Sequence, residues 1–454
     1  MKPFVRRSLV ALVVALALVL PTSAPSQAAI PRPHDDPFYA FDSAALTNVP
    51  RGTVLRSRTV SVGVPGTGAG VVPATQLLYR TQDEQGRPTA TVTTVVNPTG
   101  PVNLGLVAYL SFYDALGDIC SPSYTLQGGD PGAANATTAY AETGLVLALA
   151  AQGYAVTVPD FEGPDLHWVA GHESGWNTLD GIRATESFLG MPSSQKVGLF
   201  GYSGGSIGGE WAAELAPSYA PELNIVGTAI GGIPVHLAHN TRYVNGSDTW
   251  SGVIPAVLVS LGRAFGIKTH KFASKYGKQV MAEVEDQCIG SFNGNYPGLR
   301  VQQLLKKKYR AFLKVRPFAR TINKLIMGSV PGHPQMPMFM GVGNADGTGD
   351  HVMVVKDVQG LAHQYCSEGV PVQLKVYDGA EHTQAGLQFF PEALTFLAGR
   401  FAGLPFAGNC AEIPVGNSLA PLKIRKKRKH HHGHHHGHHH GHHHGHHHGH
   451  HGHH

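Results

Sequence analysis

The stretch Lys196-Val197-Gly198-Leu199-Phe200-Gly201-Tyr202-Ser203-Gly204-Gly205 decides the fold. An apolar strand runs into Gly-x-Ser-x-Gly. The residues that follow, Ser206 to Leu215 (SIGGEWAAEL), are small and helix-compatible. Strand, sharp turn and helix are the context that makes this pattern a nucleophile elbow. A serine at the tip of so tight a turn leaves no room for side chains two residues away. Gly201 and Gly205 supply that room, with Tyr202 between the first glycine and Ser203. The turn also aims the Gly204 N–H at the point where an oxyanion would develop.

Working outward, residues 30–60 are Pro-rich and read as irregular. Thr75 to Asn97 alternates apolar and polar residues around the turn Asp83-Glu84-Gln85-Gly86, which predicts an antiparallel hairpin. Leu104 to Phe112 is a continuous apolar run and so a buried strand. A helix over Thr143 to Gln152, a strand over Gly153 to Pro159 and an amphipathic helix over Thr178 to Leu189 lead to the serine strand. Leu223 to Ile230 is the next strand. From about His236 to Gln335 strand signals thin out and helical, basic and aromatic segments replace them. This span is read as a helical cap inserted over the site edge, with Lys306 to Arg310 (KKKYR) as a solvated helix face. The rhythm resumes with a strand at Pro337 to Gly343, a helix at Val355 to Cys366 and a strand at Val370 to Tyr377. The loop Gly379-Ala380-Glu381-His382 and a helix over Gly386 to Phe401 follow. An antiparallel start followed by alternating strands and helices predicts an α/β fold with a mostly parallel central sheet. The expected organisation is a signal peptide at 1–29, a catalytic domain over 30–235 and 336–412, a cap over 236–335, and a disordered basic and His-rich tail over 413–454.

The chain has 454 residues, 42% of them hydrophobic and 14% charged, with a formal net charge of +5. That charge is local: Lys423 to Lys429 holds six cations and the leader holds Lys2, Arg6 and Arg7, so the remaining 26 Lys and Arg face 30 acids. The folded body has no general nucleic-acid signature. The positive n-region, the apolar run Leu9 to Leu20 and a small-residue cleavage site at Ser26-Gln27-Ala28 read as a secretory signal. The run is too short to span a bilayer comfortably. No integral membrane segment is expected after cleavage, and the mature chain is expected to be extracellular, with cell-surface association open. Four cysteines, Cys120, Cys288, Cys366 and Cys410, show no metal-ligand spacing. An even count in a secreted chain implies two disulfides in one of three connectivities; Cys366 and Cys410 are the nearer pair in sequence. The repeated His-His-His-Gly units at the C-terminus hold 19 of the 29 histidines. Imidazoles so arranged suit a divalent metal such as Zn, Ni or Cu.

Acyl transfer by a serine needs a base to accept the Oγ proton and a carboxylate to orient that base. The chain order on this kind of sheet is serine, acid, histidine. His382 stands in the right place for the base. The acid belongs after Pro337 to Gly343, where Gly343-Asn344-Ala345-Asp346-Gly347-Thr348-Gly349-Asp350 offers two candidates, Asp346 and Asp350, that the residues alone do not separate. The same loop lacks EF-hand spacing. A second oxyanion donor is expected in Ser111-Phe112-Tyr113-Asp114, at the end of a buried strand.

At these residues the chain resembles the secretory lipases of the Candida antarctica lipase A type, members of the α/β-hydrolase superfamily. The resemblance rests on Tyr113-Asp114 through Cys120-Ser121-Pro122-Ser123-Tyr124, on Asp160-Phe161-Glu162-Gly163 and on Leu179-Asp180-Gly181-Ile182-Arg183-Ala184. It continues in Gly201-Tyr202-Ser203-Gly204-Gly205, in Ser218-Tyr219-Ala220-Pro221-Glu222-Leu223-Asn224-Ile225-Val226-Gly227 and in Glu381-His382. It implies an α/β-hydrolase fold with a helical cap and ester hydrolysis on acylglycerols. It assigns Ser203 as nucleophile, His382 as base and Asp350 as acid, and it puts the oxyanion hole at Asp114 and Gly204. It also pairs Cys120 with Cys288 and Cys366 with Cys410. The chain departs from the family in extra residues before Asp350, which keep Asp346 open, and in a loosely matching cap, so chain-length preference does not carry over.

The expected function is a secreted serine lipase or esterase acting through an acyl-enzyme, with no cofactor and no metal in the catalytic domain. A short-chain, cutin-like or carbohydrate-ester esterase is the alternative on the same chemistry; Val253 to Leu261 (VIPAVLVSL) leans towards lipids. A cell-surface metal-binding protein acting through the tail is the alternative of another class.

Overall fold

The computed structural model describes residues 30–64, 71–99, 103–192 and 194–424, with Gly445 and Gly449. The expected signal segment and the histidines of the repeats lie outside the described residues. Nine strands form one sheet: β1 Val54–Val62, β2 Val72–Gln82, β3 Pro88–Val96, β4 Gly105–Leu110, β5 Tyr154–Pro159, β6 Lys196–Tyr202, β7 Asn224–Gly231, β8 Met338–Asn344 and β9 Val372–Asp378. Their order is β1-β2-β3-β5-β4-β6-β7-β8-β9. The β1–β2, β2–β3 and β3–β5 pairs are antiparallel, and every pair from β5 through β9 is parallel. This is the mostly parallel α/β sheet expected from the sequence. Strand β1 was not expected. It lies at the sheet edge and pairs with β2 alone, so polar residues such as Arg56, Arg58 and Ser61 occupy it and no clean hydrophobic period marks it.

Side-chain alternation sorts the sheet into two faces. Val107 and Tyr109 of β4 pack with Val156, Phe200 and Phe339 against the helices Ala136–Ala151 (α1) and His382–Phe401 (α9). Leu106 and Ala108 of the same strand face the opposite layer. There Gly171–Leu189 (α2), Gly204–Tyr219 (α3) and Val355–Ser367 (α8) cover the sheet with Leu179, Ile182, Trp211 and Leu361. That layer is continuous with the span 236–335, whose longer helices are Leu237–Val244 (α4), Val253–Phe265 (α5), Lys275–Val284 (α6) and Arg316–Lys324 (α7). Phe318 and Ile322 of α7, Val280 of α6 and Phe292 belong to the same buried cluster as Leu106. The span 236–335, expected as a cap, thus rests on the sheet's helical layer and shares its core.

The chain leaves β4 for β5 on one side and returns to β6 on the other. In parallel sheets the crevice beyond the strand ends at such a reversal is where ligands bind. Both disulfides form as implied by the resemblance, Cys120–Cys288 and Cys366–Cys410. Several boundaries differ from expectation: α1 and α2 begin at Ala136 and Gly171, ahead of the expected Thr143 and Thr178. Helix α9 begins at His382 itself, because Glu381 caps it by accepting from the N–H groups of Thr383 and Gln384. Residues 413–424, expected to open a disordered tail, are held in place. Asn417 Nδ2 donates to Asp357 at 2.7 Å, Asn417 N donates to Lys356 O at 2.7 Å, and Leu422 exchanges two hydrogen bonds with the Asn323 side chain.

Candidate active site

The carboxyl ends of four strands converge on one crevice. Strand β6 delivers Ser203, which has φ 53° and ψ −121°, a backbone strained for any residue with a side chain. The glycines make the turn possible: a Cβ on Gly201 would overlap the Gly205 carbonyl, and one on Gly205 would overlap the Leu110 carbonyl at the end of β4. Strand β8 ends at Asn344 and the loop beyond carries Asp350; β9 ends at Asp378 and α9 opens with His382.

Ser203 Oγ donates to His382 Nε2 at 2.8 Å, and His382 Nδ1 donates to Asp350 Oδ2 at 2.8 Å. Asp350 is fully buried, and its other oxygen accepts from the N–H groups of Met353 (2.7 Å) and Val352 (3.1 Å). His382 is fixed through its backbone as well: its N–H meets Asp350 O at 3.1 Å and its carbonyl accepts from Tyr202 Oη at 2.6 Å. Trp250 packs on the ring at nearly a right angle, with centroids 5.3 Å apart. Asp346 is placed elsewhere. It caps its own turn by accepting from Thr348 N and Gly349 N, and it accepts from Tyr243 Oη of the cap at 2.9 Å. No hydrogen bond joins Asp346 to His382 among the described residues.

Opposite Ser203 stands the loop after β4. Asp114 has φ 38°, and its carboxylate lies so close over Gly204 that a Cβ there would overlap it. Gly204 opens α3, so its N–H has no acceptor within the helix. Asp114, Ser203 and Gly204 line one cavity, walled by apolar residues that include Ile207, Leu237, Val244, Val253, Ile254 and Met353. The loop is clamped by buried carboxylates from distant segments. Glu142 of α1 accepts from Phe112 N (3.0 Å), Ser111 Oγ (2.9 Å) and Tyr109 Oη (3.0 Å), and Glu162 accepts from Ala115 N at 3.0 Å. Burial pushes Glu142 up to about 7 despite these donors. Burial likewise pushes Asp114 up to about 7, opposed by the N–H of Trp168, which donates to its Oδ1 at 2.6 Å, and by the charge of His382. Trp168 sits in a strained segment: Leu166 has φ 53° and the β-branched Val169 has φ 62°.

Glu142, Trp168 and Trp250 were not legible as site residues. Their partners lie 30 or more positions away, and no local motif marks them. Glu162 lies within the quoted Asp160-Phe161-Glu162-Gly163, which carried the resemblance without carrying a role. Among the described residues no group of three or more His, Cys, Asp or Glu is placed to hold a metal ion, and no helix is long and apolar enough to cross a membrane.

A reversed crossover with a serine on a strained strand–helix turn defines an α/β-hydrolase. Within that class the chain belongs to the secretory lipase family, whose model matches residues 131–409. Its fold is similar to that of Candida antarctica lipase A, with a TM-score of 0.77 at 29% identity over 86% of this chain and 91% of that one. It is 31% identical to a secreted triacylglycerol lipase of Malassezia furfur, over 86% of this chain and 83% of that protein. It is also 33% identical to a probable inactive lipase of Mycobacterium tuberculosis, over 82% of this chain and 83% of that protein. The chain is an ester hydrolase of the lipase type.

Proposed function

We propose that the chain is a secreted lipase that hydrolyses acylglycerol esters through a Ser203–His382–Asp350 triad and an acyl-enzyme. The observation that carries this reading is the unbroken pair of 2.8 Å hydrogen bonds from Ser203 Oγ through the imidazole to a buried carboxylate. His382 Nε2 takes the Oγ proton as the oxygen attacks the ester carbonyl. The imidazolium then donates that proton to the departing alcohol, and a water molecule repeats the sequence to release the acid. Asp350 fixes the tautomer and stabilises the imidazolium. N–H groups of Gly204 and Asp114 receive the oxyanion, each donor contributing about 3–4 kcal/mol in comparable sites. The apolar cavity wall suits a hydrocarbon acyl group better than the carbohydrate-ester alternative.

The test is hydrolysis of p-nitrophenyl esters from acetate to palmitate and of an emulsified triacylglycerol, by the mature chain and by Ser203→Ala. Turnover that rises with chain length and vanishes in the variant is expected. Turnover confined to short esters would move the substrate to the alternative, and activity in Ser203→Ala would overturn the mechanism. The His-rich repeats motivate a divalent-metal partner at the tail and an anchoring role at the cell surface. Removing residues 425–454 is expected to abolish metal binding and leave ester turnover intact; loss of turnover would contradict the lipase reading.

A further inference from the structure

Charge is partitioned between the two parts of this molecule. Residues 236–335 carry 15 Lys and Arg against 4 Asp and Glu, whereas 30–235 and 336–422 together carry 11 against 26. The near-neutral body therefore conceals a cap of +11 on a base of −15. Between Asp286 and Asp346 there are nine cations and no acid. Among the described residues no Lys or Arg of 236–335 forms an ion pair, although the base holds Arg58, Arg87 and Arg183 in such pairs. A surface with interspersed signs would be equally soluble without this self-repulsion, so solubility does not account for the segregation.

The cations form one surface. Lys268, Lys271, Lys275, Lys278, Lys306, Lys307, Lys308 and Arg310 are all exposed. The two segments that bear them are stitched together by the Ala273–Leu305 bridge, by Lys306 Nζ donating to Lys271 O at 2.9 Å and by the Phe272 ring packed on Tyr309. Tyr276 is 45% exposed between Lys275 and Lys278. An amphipathic ring among lysines suits the boundary between headgroups and acyl chains. The surface reaches the site: Thr241 lines both the Ser203 cavity and an adjoining recess bordered by Arg242, Arg310 and Lys314. The chain's basic terminus also leaves from a helix of the cap. Leu422 is pinned to Asn323 on α7, and Lys423 opens the six-cation run of the sequence there.

We propose that the outer face of the cap docks on an anionic lipid–water interface and holds it against the mouth of the Ser203 cavity. The choice of a lipid surface over another polyanion rests on the lipase reading, on the exposed Tyr276 and on the apolar cavity beside the cations. Each Lys or Arg near an anionic bilayer adds about 1 kcal/mol of attraction within a Debye length.

Binding is measured by flotation of the full-length Ser203→Ala chain with vesicles of phosphatidylcholine alone and of phosphatidylcholine mixed with phosphatidylglycerol. The expected result is binding that requires the anionic lipid and weakens as salt is raised. Lys271→Glu, Lys275→Glu, Lys306→Glu and Lys308→Glu combined should weaken it by about tenfold or more. The same four changes in the active chain should leave p-nitrophenyl acetate turnover unchanged, which reports the fold. If the charge reversals misfold, the corresponding Lys→Gln set replaces them. Equal binding to both vesicle types, undiminished binding by a folded variant, or tighter binding to heparin than to anionic vesicles would overturn the proposal. Because the binding chain lacks Ser203, a failure of the ester chemistry leaves this readout standing.

Discussion

Two buried imidazole–carboxylate pairs lie within one domain. His382 Nδ1 meets Asp350 at 2.8 Å, and His167 Nδ1 meets Glu173 at 2.7 Å. Both histidines and both acids are buried. The pairs differ in what faces the far nitrogen. At His382 it is Ser203 Oγ, on a strained turn at a crevice; at His167 the Nε2 has no hydrogen-bond partner among the described residues. The first pair is the one proposed to pass a proton between substrate atoms. The second staples a loop. Imidazole–acid geometry alone therefore does not separate the pair proposed for catalysis from a structural one; the two differ in the neighbour of the second nitrogen.

Substitutions separate the two pairs. Ser203→Ala or His382→Ala should lower kcat by about 10⁵–10⁶ while the melting curve stays close to wild type. His167→Ala should do the reverse, keeping kcat within a few-fold and removing about 3 kcal/mol of stability by leaving Glu173 unpaired. A His167→Ala enzyme that melts normally but has lost turnover would dissolve the distinction. The next largest effect concerns the acid. Asp350→Asn should cost about 10⁴ in kcat by disturbing the tautomer, whereas Asp346→Asn should change it less than about twofold. A comparable loss in both would reopen the choice that the residues alone left even.

A smaller effect sharpens the role of the stapled loop. Trp168→Phe keeps the ring but removes the N–H that holds the Asp114 carboxylate, so kcat should fall about tenfold with KM little changed. A change confined to KM would make Trp168 a wall of the cavity only. The smallest effect is on stability against pH. Burial raises Asp114, Glu142, Asp160 and Glu173 to about 7. Between the ordinary carboxylate range and about pH 7 the native state then holds protons that the unfolded chain has released. Stability from these groups is present at the low end of that window and is lost as pH rises through it. Thermal melting should therefore occur at a higher temperature near about pH 5 than near about pH 8. The opposite slope would mean that other groups dominate.

What was legible in the sequence follows from range. Ser203 and its glycines form one local turn, and His382 and the acid follow the strands they belong to, so pattern and order located them. The parallel strands announced themselves as buried apolar runs. Edge strand β1 did not, because neither of its faces is uniformly apolar. Trp168 reaches Asp114 across 54 positions and Glu142 reaches Phe112 across 30, distances over which no spacing rule operates. Residues 236–335 were legible as helical and basic, but their cations looked like an ordinary solvated face until the fold laid separate segments side by side.

The Cys120–Cys288 link has a mechanical consequence. It joins the loop that follows Asp114 to the far side of the cap, 168 positions away, and the Ala115–Cys288 bridge and the Leu116 N–Gln287 O hydrogen bond at 2.9 Å run beside it. That side of the cap is a fixed pivot. Arg263 of α5 joins the same seam, its guanidinium donating to Leu116 O at 2.9 Å. Cutting the link with a reductant releases the loop after Asp114 and the Cys288 segment together. A reductant is therefore expected to lower ester turnover at concentrations that leave the sheet folded, read by activity and far-UV circular dichroism side by side.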